Sequence, residues 1–197
     1  MTYRQEIWRK LIHLGSAAFP IAYWLTNQTV MLWVLVPLAV IAIGAETLRH
    51  LKPGFRALVD RWLGRLLRRA EDHTLTGATC VTLAALLSIL LFDKPIAIAV
   101  LLFLSVSDAL ASLVGIRFGR VRLGGKTLEG SAVFLVSAVA IALLVLRSAP
   151  LVAVLGAAIA TIVEALPLKI AGHKLDDNLT IPLVSGAAMT LLWEVLG

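Results

Sequence analysis

Charged residues are scarce in this chain. They make up 15% of its 197 residues, while 59% are hydrophobic; an average soluble domain is roughly a quarter charged and roughly half apolar. The scarcity of charge argues against a water-soluble globule, and the high hydrophobicity argues against a disordered chain. Cysteine is nearly absent too. Cys80 stands alone, which excludes an internal disulfide and a metal site built from several cysteines.

Long apolar runs are what the sequence has instead. A helix that crosses a bilayer needs about 20 mostly apolar residues, and seven stretches meet that need. They lie at residues 5–25, 29–48, 75–92, 95–116, 128–146, 150–168 and 179–196. No repeat or linker divides them, so we expect an all-α membrane bundle that forms a single domain over residues 1–197. His13 and Pro20 interrupt the first span, which we therefore expect to be a retained helix rather than a signal peptide.

The basic residues predict the orientation of the bundle. With a cytoplasmic N-terminus, 16 of the 18 lysines and arginines fall in cytoplasmic segments, and only Lys94 and Arg147 lie outside. Such an excess is the usual sign of the cytoplasmic side. In a soluble protein, the net charge of +6 would suggest that the protein binds nucleic acid. In this chain we expect the basic residues to face the lipid bilayer, and we expect no nucleic acid partner. The apolar surface is compatible with a homo-oligomer.

Residues 51–69 follow a different pattern. Leucines, Phe55, Val59 and Trp62 recur at helical spacing, and lysines and arginines occupy the other positions. This pattern predicts an amphipathic helix that lies in the membrane interface, with its basic side toward anionic headgroups. Such a helix is either a flat connector or a cover that gathers lipid substrate.

Ionisable residues at membrane depth indicate a functional site, because they are costly there. The candidates are His13, Glu46, Asp108, Glu129 and Glu164, followed by Asp176 and Asp177. In the predicted topology they all lie toward the cytoplasmic half, which favours a one-sided pocket over a conduction path.

Asp108 is the deepest of these residues. Ser105, Asp108, Ser112 and Gly115 share one face of the fourth span. Small residues on one face are also typical of a tight helix–helix seam. A seam does not require a carboxylate, so Asp108 is the strongest functional candidate of the stripe.

The loop at residues 115–130 combines glycines with basic residues. Glycines let backbone amides approach phosphate oxygens, and Lys126 adds a positive charge. The fifth span begins near Thr127, so the positive end of its dipole faces the same loop. The loop is either a basic connector or a polyphosphate site, and the nearby carboxylates favour the second because Mg²⁺ is held by carboxylates together with phosphate oxygens.

Short motifs in a fixed order carry a family resemblance. They are RKLIH at 9–13, LTGAT at 75–79, SDALAS at 107–112, GKTLEG at 125–130, EALP at 164–167 and DDNLTIPL at 176–183. Over most of its length the chain resembles the CTP-dependent lipid-alcohol kinases, which include dolichol kinase, phytol kinase and the yeast-type diacylglycerol kinase. The resemblance implies a Mg²⁺-dependent transfer of the γ-phosphate of CTP to the hydroxyl of a membrane lipid such as a polyprenol, a phytol-like alcohol or diacylglycerol.

The resemblance also implies roles for individual residues. We expect Asp108 and Asp177 to hold Mg²⁺, with Glu129 as a third ligand or as the base for the hydroxyl. Lys126 would neutralise phosphates, which makes these four residues the predicted catalytic set. The predicted nucleotide-binding set is Arg9, Lys10, His13, Gly115, Gly119, Lys126, Thr127, Gly130 and Asn178. His13 contacts phosphates or positions the acceptor in this scheme, and Asn178 orients a phosphate.

Two rival functions remain open at this point. Phosphatidate cytidylyltransferases carry motifs similar to those around Asp108 and Lys126, but their loop typically has a Ser-Pro-Lys-Lys run where this chain has Gly124-Gly125-Lys126. A small ion-coupled transporter would use the intramembrane acids as an ion path. Its signature would be ionisable residues in the outer half of the spans, where only Glu194 lies.

Overall fold

The computed structural model describes residues 3–63, 75–123, 125–166, 169–170 and 173–196. The described part is 86% helical, which confirms the all-α class. Its α-helices are α1 Tyr3–Gly15, α2 Ala18–Leu25, α3 Gln28–Leu51, α4 Pro53–Leu63, α5 Gly77–Leu91, α6 Lys94–Leu102, α7 Asp108–Phe118, α8 Leu128–Val145, α9 Pro150–Ala165 and α10 Asp177–Leu196. A π-helical turn, Phe103–Ser107, joins α6 to α7. Two short antiparallel hairpins complete the elements, β1 Arg122–Leu123 with β2 Lys126–Thr127 and β3 Lys169–Ile170 with β4 His173–Lys174.

Within the described ranges, four helices are long and apolar enough to cross a membrane. They are Gln28–Leu51, Lys94–Phe118, Leu128–Val145 and Asp177–Leu196, and the helices Gly77–Leu91 and Pro150–Ala165 are apolar but shorter. These six lie where six spans are predicted. The first predicted span is divided into α1 and α2 by a turn at Ser16 and Ala17, in which the Ser16 hydroxyl donates to the His13 carbonyl over 2.6 Å. The molecule is thus a helical membrane protein, and the count of seven spans stays a prediction.

A helix covers part of the range predicted for the interfacial helix, and its position in the membrane interface stays a prediction. Helix α4 covers Pro53–Leu63 and follows α3 directly, with only Lys52 between them. Its exposed residues include both apolar and basic side chains, such as Leu58 and Arg61. Residues 64–69 of the prediction lie outside the described residues.

The continuous helix α6–π–α7 forms the centre of the bundle, since 72% of its most apolar stretch is buried. On one side it packs against α8, α9 and α10 through Phe103, Phe134, Ile181 and several alanines. On the other side it packs against α2, α3 and α5 through a second apolar cluster that includes Leu35. The central helix therefore carries Asp108 into the interior of the protein, where it is buried.

Small residues allow the helices to approach closely. Ala138, Ala142, Ala153 and Ala157 are fully buried between α8 and α9, as is typical of helix interfaces in membranes. Gly186 of α10 is packed still more tightly, because a Cβ atom at this position would lie 2.2 Å from the ring of Phe92.

Gly186→Ala is therefore expected to destabilise the bundle by about 1–3 kcal/mol, the usual range for an overpacked core. Thermal unfolding of the purified protein in detergent measures the effect. Gly44→Ala is the matched control, since Gly44 lies inside α3 with no atom within 4 Å of the added methyl group. That substitution should be neutral or slightly stabilising, because alanine favours helix over glycine. Equal unfolding temperatures for the two variants would contradict the close packing.

Candidate active site

Asp108 lies at the start of α7, directly after the π-helical turn. Its backbone amide bonds back to the Phe103 carbonyl, five residues earlier. Turns of this kind are frequent at functional sites. Asp108 is only 3% exposed, so its carboxylate depends on protein partners to remain charged.

Two residues of α1 contact Asp108. The ammonium of Lys10 donates to Asp108 Oδ2 over 2.5 Å, and Lys10 itself is buried. His13 Nε2 lies 2.9 Å from the Leu104 carbonyl oxygen and 3.7 Å from Asp108 Oδ2. Because a carbonyl only accepts, the hydrogen bond to Leu104 places the proton of a neutral imidazole on Nε2. The turn after α6 therefore positions both Asp108 and the His13 ring.

Lys126 joins Asp108 to two further carboxylates. Its Nζ atom lies 2.8 Å from Glu164 Oε1, 3.5 Å from Asp108 Oδ1 and 3.6 Å from Asp177 Oδ2. These carboxylates come from α9, α7 and α10, so the lysine connects three helices. Together with Lys10 they form a cluster of three negative and two positive side chains.

The surroundings of Lys126 keep its side chain charged. Burial by itself lowers the pKa of the ammonium, but the carboxylates of Asp108, Glu164 and Asp177 outweigh burial and raise that pKa above its ordinary value. The Lys126 side chain is 22% exposed, and a charged, partly exposed ammonium is suited to bind an anionic group such as a phosphate.

The β1–β2 hairpin and the start of α8 hold Lys126 in place. Leu123 pairs with Lys126, and the next residue, Thr127, caps α8 by accepting from the Gly130 amide over 3.2 Å. Gly115, Gly119 and Gly130 surround Thr127 so closely that an added Cβ atom would lie between 2.5 and 2.9 Å from the Thr127 side chain. Three of the predicted nucleotide-binding glycines thus have a packing role, since they allow α7, α8 and the hairpin to meet.

The structure brings together Asp108, Lys126 and Asp177 of the predicted catalytic set, but not Glu129. Glu129 Oε1 accepts from the backbone amides of Arg120 and Val121 over 3.0 and 3.3 Å. These bonds fix the loop between α7 and β1. The role of Glu129 as a metal ligand or base stays a prediction.

The other predicted residues lie around the cluster. Asn178 donates from its side chain to the Gly77 carbonyl over 3.5 Å, which ties α10 to the start of α5. Asp176 accepts from the Asn178 amide over 2.9 Å and thereby caps α10. Arg9 is half-buried on α1.

Glu46 belongs to a separate buried cluster. It accepts from the Thr76 amide over 2.7 Å and from the Thr79 hydroxyl over 3.1 Å, and it pairs with Arg49 at 2.9 Å. These contacts join the end of α3 to the start of α5. Glu46 thus stabilises the helix ends beside the site.

Glu164 and Ser131 are partners that the sequence analysis did not connect. Glu164 is named there as an ionisable residue but given no role, and Ser131 is not named. In the structure the Ser131 hydroxyl donates to Glu164 Oε2 over 2.9 Å. Ser131 lies one turn after the Thr127 cap, and this spacing is the one signal in the sequence that places it near Lys126.

The donor set fits Mg²⁺. The oxygens of Asp108 and Asp177 approach the same point, where the Lys126 ammonium now lies, and Mg²⁺ is commonly held by one or two carboxylates plus substrate phosphates and waters. Among the described residues, no group of three or more histidine, cysteine, aspartate and glutamate side chains could hold a metal ion. A Mg²⁺ ion here would therefore need phosphate oxygens to complete its ligands.

A shallow cleft of about 470 Å³ opens beside the loop after α7. Arg117, Phe118, Gly119, Arg120 and Glu129 line it. Arg117, the first of these residues in the chain, lies nine residues after Asp108 in α7. This separation corresponds to about 13.5 Å along the helix axis. A nucleotide whose phosphates reached Lys126 could extend toward this cleft.

Comparison with known proteins gives relatives over nearly the whole chain. An uncharacterized protein of Rickettsia prowazekii is 30% identical over 196 residues, or 95% of each chain. A CTP-dependent diacylglycerol kinase of Saccharomyces cerevisiae is 31% identical over 134 residues, which cover 65% of this chain and 46% of the yeast enzyme. A wheat protein described as a probable chloroplastic phytol kinase is 27% identical over 212 residues, or 96% of this chain and 68% of its own. No family model matches this chain, and no solved structure does.

Proposed function

The chain is related to CTP-dependent lipid kinases, and from this relationship we propose that it transfers the γ-phosphate of CTP to the hydroxyl of a membrane-embedded lipid alcohol with the help of Mg²⁺. The observation that carries the proposal is the convergence of Asp108, Glu164 and Asp177 on Lys126 at one end of the bundle. This end is the cytoplasmic one in the predicted topology, in agreement with a nucleotide that arrives from the cytoplasm. We place the protein in a prokaryotic cytoplasmic membrane.

In the proposed reaction the lipid hydroxyl oxygen attacks the γ-phosphorus. The bond from this phosphorus to the oxygen that bridges it to the β-phosphate breaks, CDP leaves with the electron pair of that bond, and the hydroxyl proton passes to water. Phosphoryl transfer leaves little covalent chemistry to the protein, so positioning and neutralisation of charge carry the catalysis.

The residues of the site divide these tasks. Lys126 neutralises phosphate oxygens, and Lys10 does so from α1 while it holds the Asp108 carboxylate. Asp108 and Asp177 would hold Mg²⁺, which supplies further positive charge at the transferred phosphate. Glu129 orders the loop at residues 119–121 by accepting from two of its amides, so that the side chains of Arg117 and Arg120, which line the cleft, can face the rest of the nucleotide.

The lipid hydroxyl would reach the site beside α1. Leu11, Ile12 and Leu14 are exposed on this helix, while Lys10 on its inner side is buried. An exposed apolar surface next to a buried charge suits a substrate with one hydroxyl on a long apolar body. Diacylglycerol, polyprenols and phytol-like alcohols all fit this description.

The test is an assay of the purified protein in detergent with Mg²⁺, CTP and each of these three alcohols, in which CDP and pyrophosphate are quantified separately. The proposal predicts CDP release that depends on the alcohol, with an equal amount of phosphorylated lipid. Release of pyrophosphate with phosphatidate as substrate would instead identify a cytidylyltransferase. No product from CTP, ATP or GTP would contradict both and leave transport as the function to test.

A further inference from the structure

The three carboxylates around Lys126 are not equivalent. Glu164 Oε1 is the nearest at 2.8 Å, while the oxygens of Asp108 and Asp177 lie 3.5 and 3.6 Å away. Glu164 is also the most buried, at 2% exposure. Its second oxygen, Oε2, accepts from the Ser131 hydroxyl, so both carboxylate oxygens are occupied.

We propose that Glu164 is a positioning residue that holds the Lys126 ammonium back from Asp108 and Asp177, so that these two aspartates can take a divalent cation. This inference rests on the proposed kinase function. Nothing about Glu164 requires that it touch the substrate, since its two oxygens face Lys126 and Ser131.

Glu164 is held in a rigid part of the bundle. Glu164 lies in the last turn of α9, and Ser131 lies in the first turn of α8. The two helices pack through fully buried alanines along their length. The contact between Lys126 and Glu164 therefore persists when a cation binds, whereas the longer contacts from Lys126 to the two aspartates can break.

Competition between two cations explains why such an anchor matters. An ammonium and a Mg²⁺ ion cannot both lie against the same carboxylate oxygens. Without the charge of Glu164, the ammonium would be attracted by Asp108 and Asp177 alone and would move toward them. Divalent cations would then have to displace it, so binding would need a higher cation concentration.

Glu164→Gln tests this inference, because glutamine keeps the size and a hydrogen-bond acceptor but removes the charge. We expect the half-saturating concentration of Mg²⁺ for CDP release to rise about tenfold, while kcat at saturating Mg²⁺ falls less than about threefold. Mn²⁺ binding to the nucleotide-free protein, followed by electron paramagnetic resonance, should weaken by a similar factor. Ser131→Ala, which removes only the second partner of Glu164, should shift both values in the same direction by about two- to threefold.

A double variant shows whether Glu164 acts through Lys126. In a Lys126→Met background, Glu164→Gln should not weaken Mn²⁺ binding, because the competing ammonium is gone. Weakening of the same size in both backgrounds would overturn the inference, and so would unchanged half-saturation in Glu164→Gln. A purely structural role would lower the unfolding temperature and leave the cation dependence in place.

The two proposals fail in different ways. If the wild-type protein released pyrophosphate or no product, the kinase function would be wrong, and Mn²⁺ binding would still test Glu164. If the wild type released CDP and Glu164→Gln bound Mn²⁺ as tightly as the wild type, the function would stand and the role of Glu164 would be wrong.

Discussion

Asp108→Asn is expected to lower the rate of lipid-dependent CDP release by roughly 10³-fold, the upper range for loss of one group that stabilises developing charge. Asp108 lies at the centre of the site, since it contacts both Lys10 and Lys126 and would bind Mg²⁺. Asparagine keeps the size of the side chain but cannot compensate either ammonium. The measurement is kcat with CTP and the preferred alcohol at saturating Mg²⁺.

Asp176→Asn is the matched control for this variant. Asp176 is a neighbour of the cluster in sequence, but its carboxylate caps α10, and asparagine caps a helix as well as aspartate does. Its kcat should stay within about twofold of the wild type.

The integrity of Asp108→Asn has to be established alongside its activity. Truncation to alanine is less informative, because it adds a cavity to the loss of one partner of a buried ion pair, which by itself destabilises a protein by roughly 3–5 kcal/mol. Thermal unfolding in detergent shows whether the asparagine variant is folded. A folded variant that keeps more than a tenth of wild-type kcat would remove Asp108 from the catalytic machinery.

Much of the fold follows from apolar runs and their ends. The long helices begin and end within about three residues of the predicted spans, because residues such as Asn27, Thr76 and Thr127 cap helices next to apolar sequence. These signals are local. They do not reveal the turn between α1 and α2 or the π-helical turn before Asp108, which depend on packing between helices.

The sequence identifies most of the charged residues of the site, but it does not identify the contacts that these residues make. Asp108 and Asp177 stand out because charge at membrane depth needs a reason, and Lys126 stands out because it lies in a loop that combines glycines with basic residues. The bond from Ser131 to Glu164 joins residues 33 positions apart, and no local pattern records it. The resemblance predicts Glu129 as a ligand or base, and no local pattern shows that its carboxylate accepts from the amides of Arg120 and Val121.

Lys126→Met should weaken the apparent affinity for CTP by about 10–100-fold and also lower the stability of the nucleotide-free protein. The first effect follows from the loss of a cation that faces phosphate oxygens. The second follows because Asp108, Glu164 and Asp177 lose their shared partner, and carboxylates brought together without a counter-charge repel one another. Binding of a non-hydrolysable CTP analogue and thermal unfolding measure the two effects separately.

Divalent cations should reverse the loss of stability. Mg²⁺ can bind Asp108 and Asp177 in place of the missing ammonium, and a ligand that binds only the folded state stabilises it. Addition of Mg²⁺ should therefore raise the unfolding temperature of Lys126→Met more than that of the wild type, even though CTP binds the variant more weakly.

Lys94→Met is the matched control, because it makes the same substitution at the other end of the bundle. Lys94 donates to the Thr26 carbonyl over 2.6 Å and lies over the ring of Tyr23, so its loss should lower stability without a change in affinity for the CTP analogue or in the response to Mg²⁺. If Lys126→Met bound the analogue as tightly as Lys94→Met does, Lys126 would have no part in phosphate binding. The convergence of carboxylates on its side chain would then be a structural ion cluster.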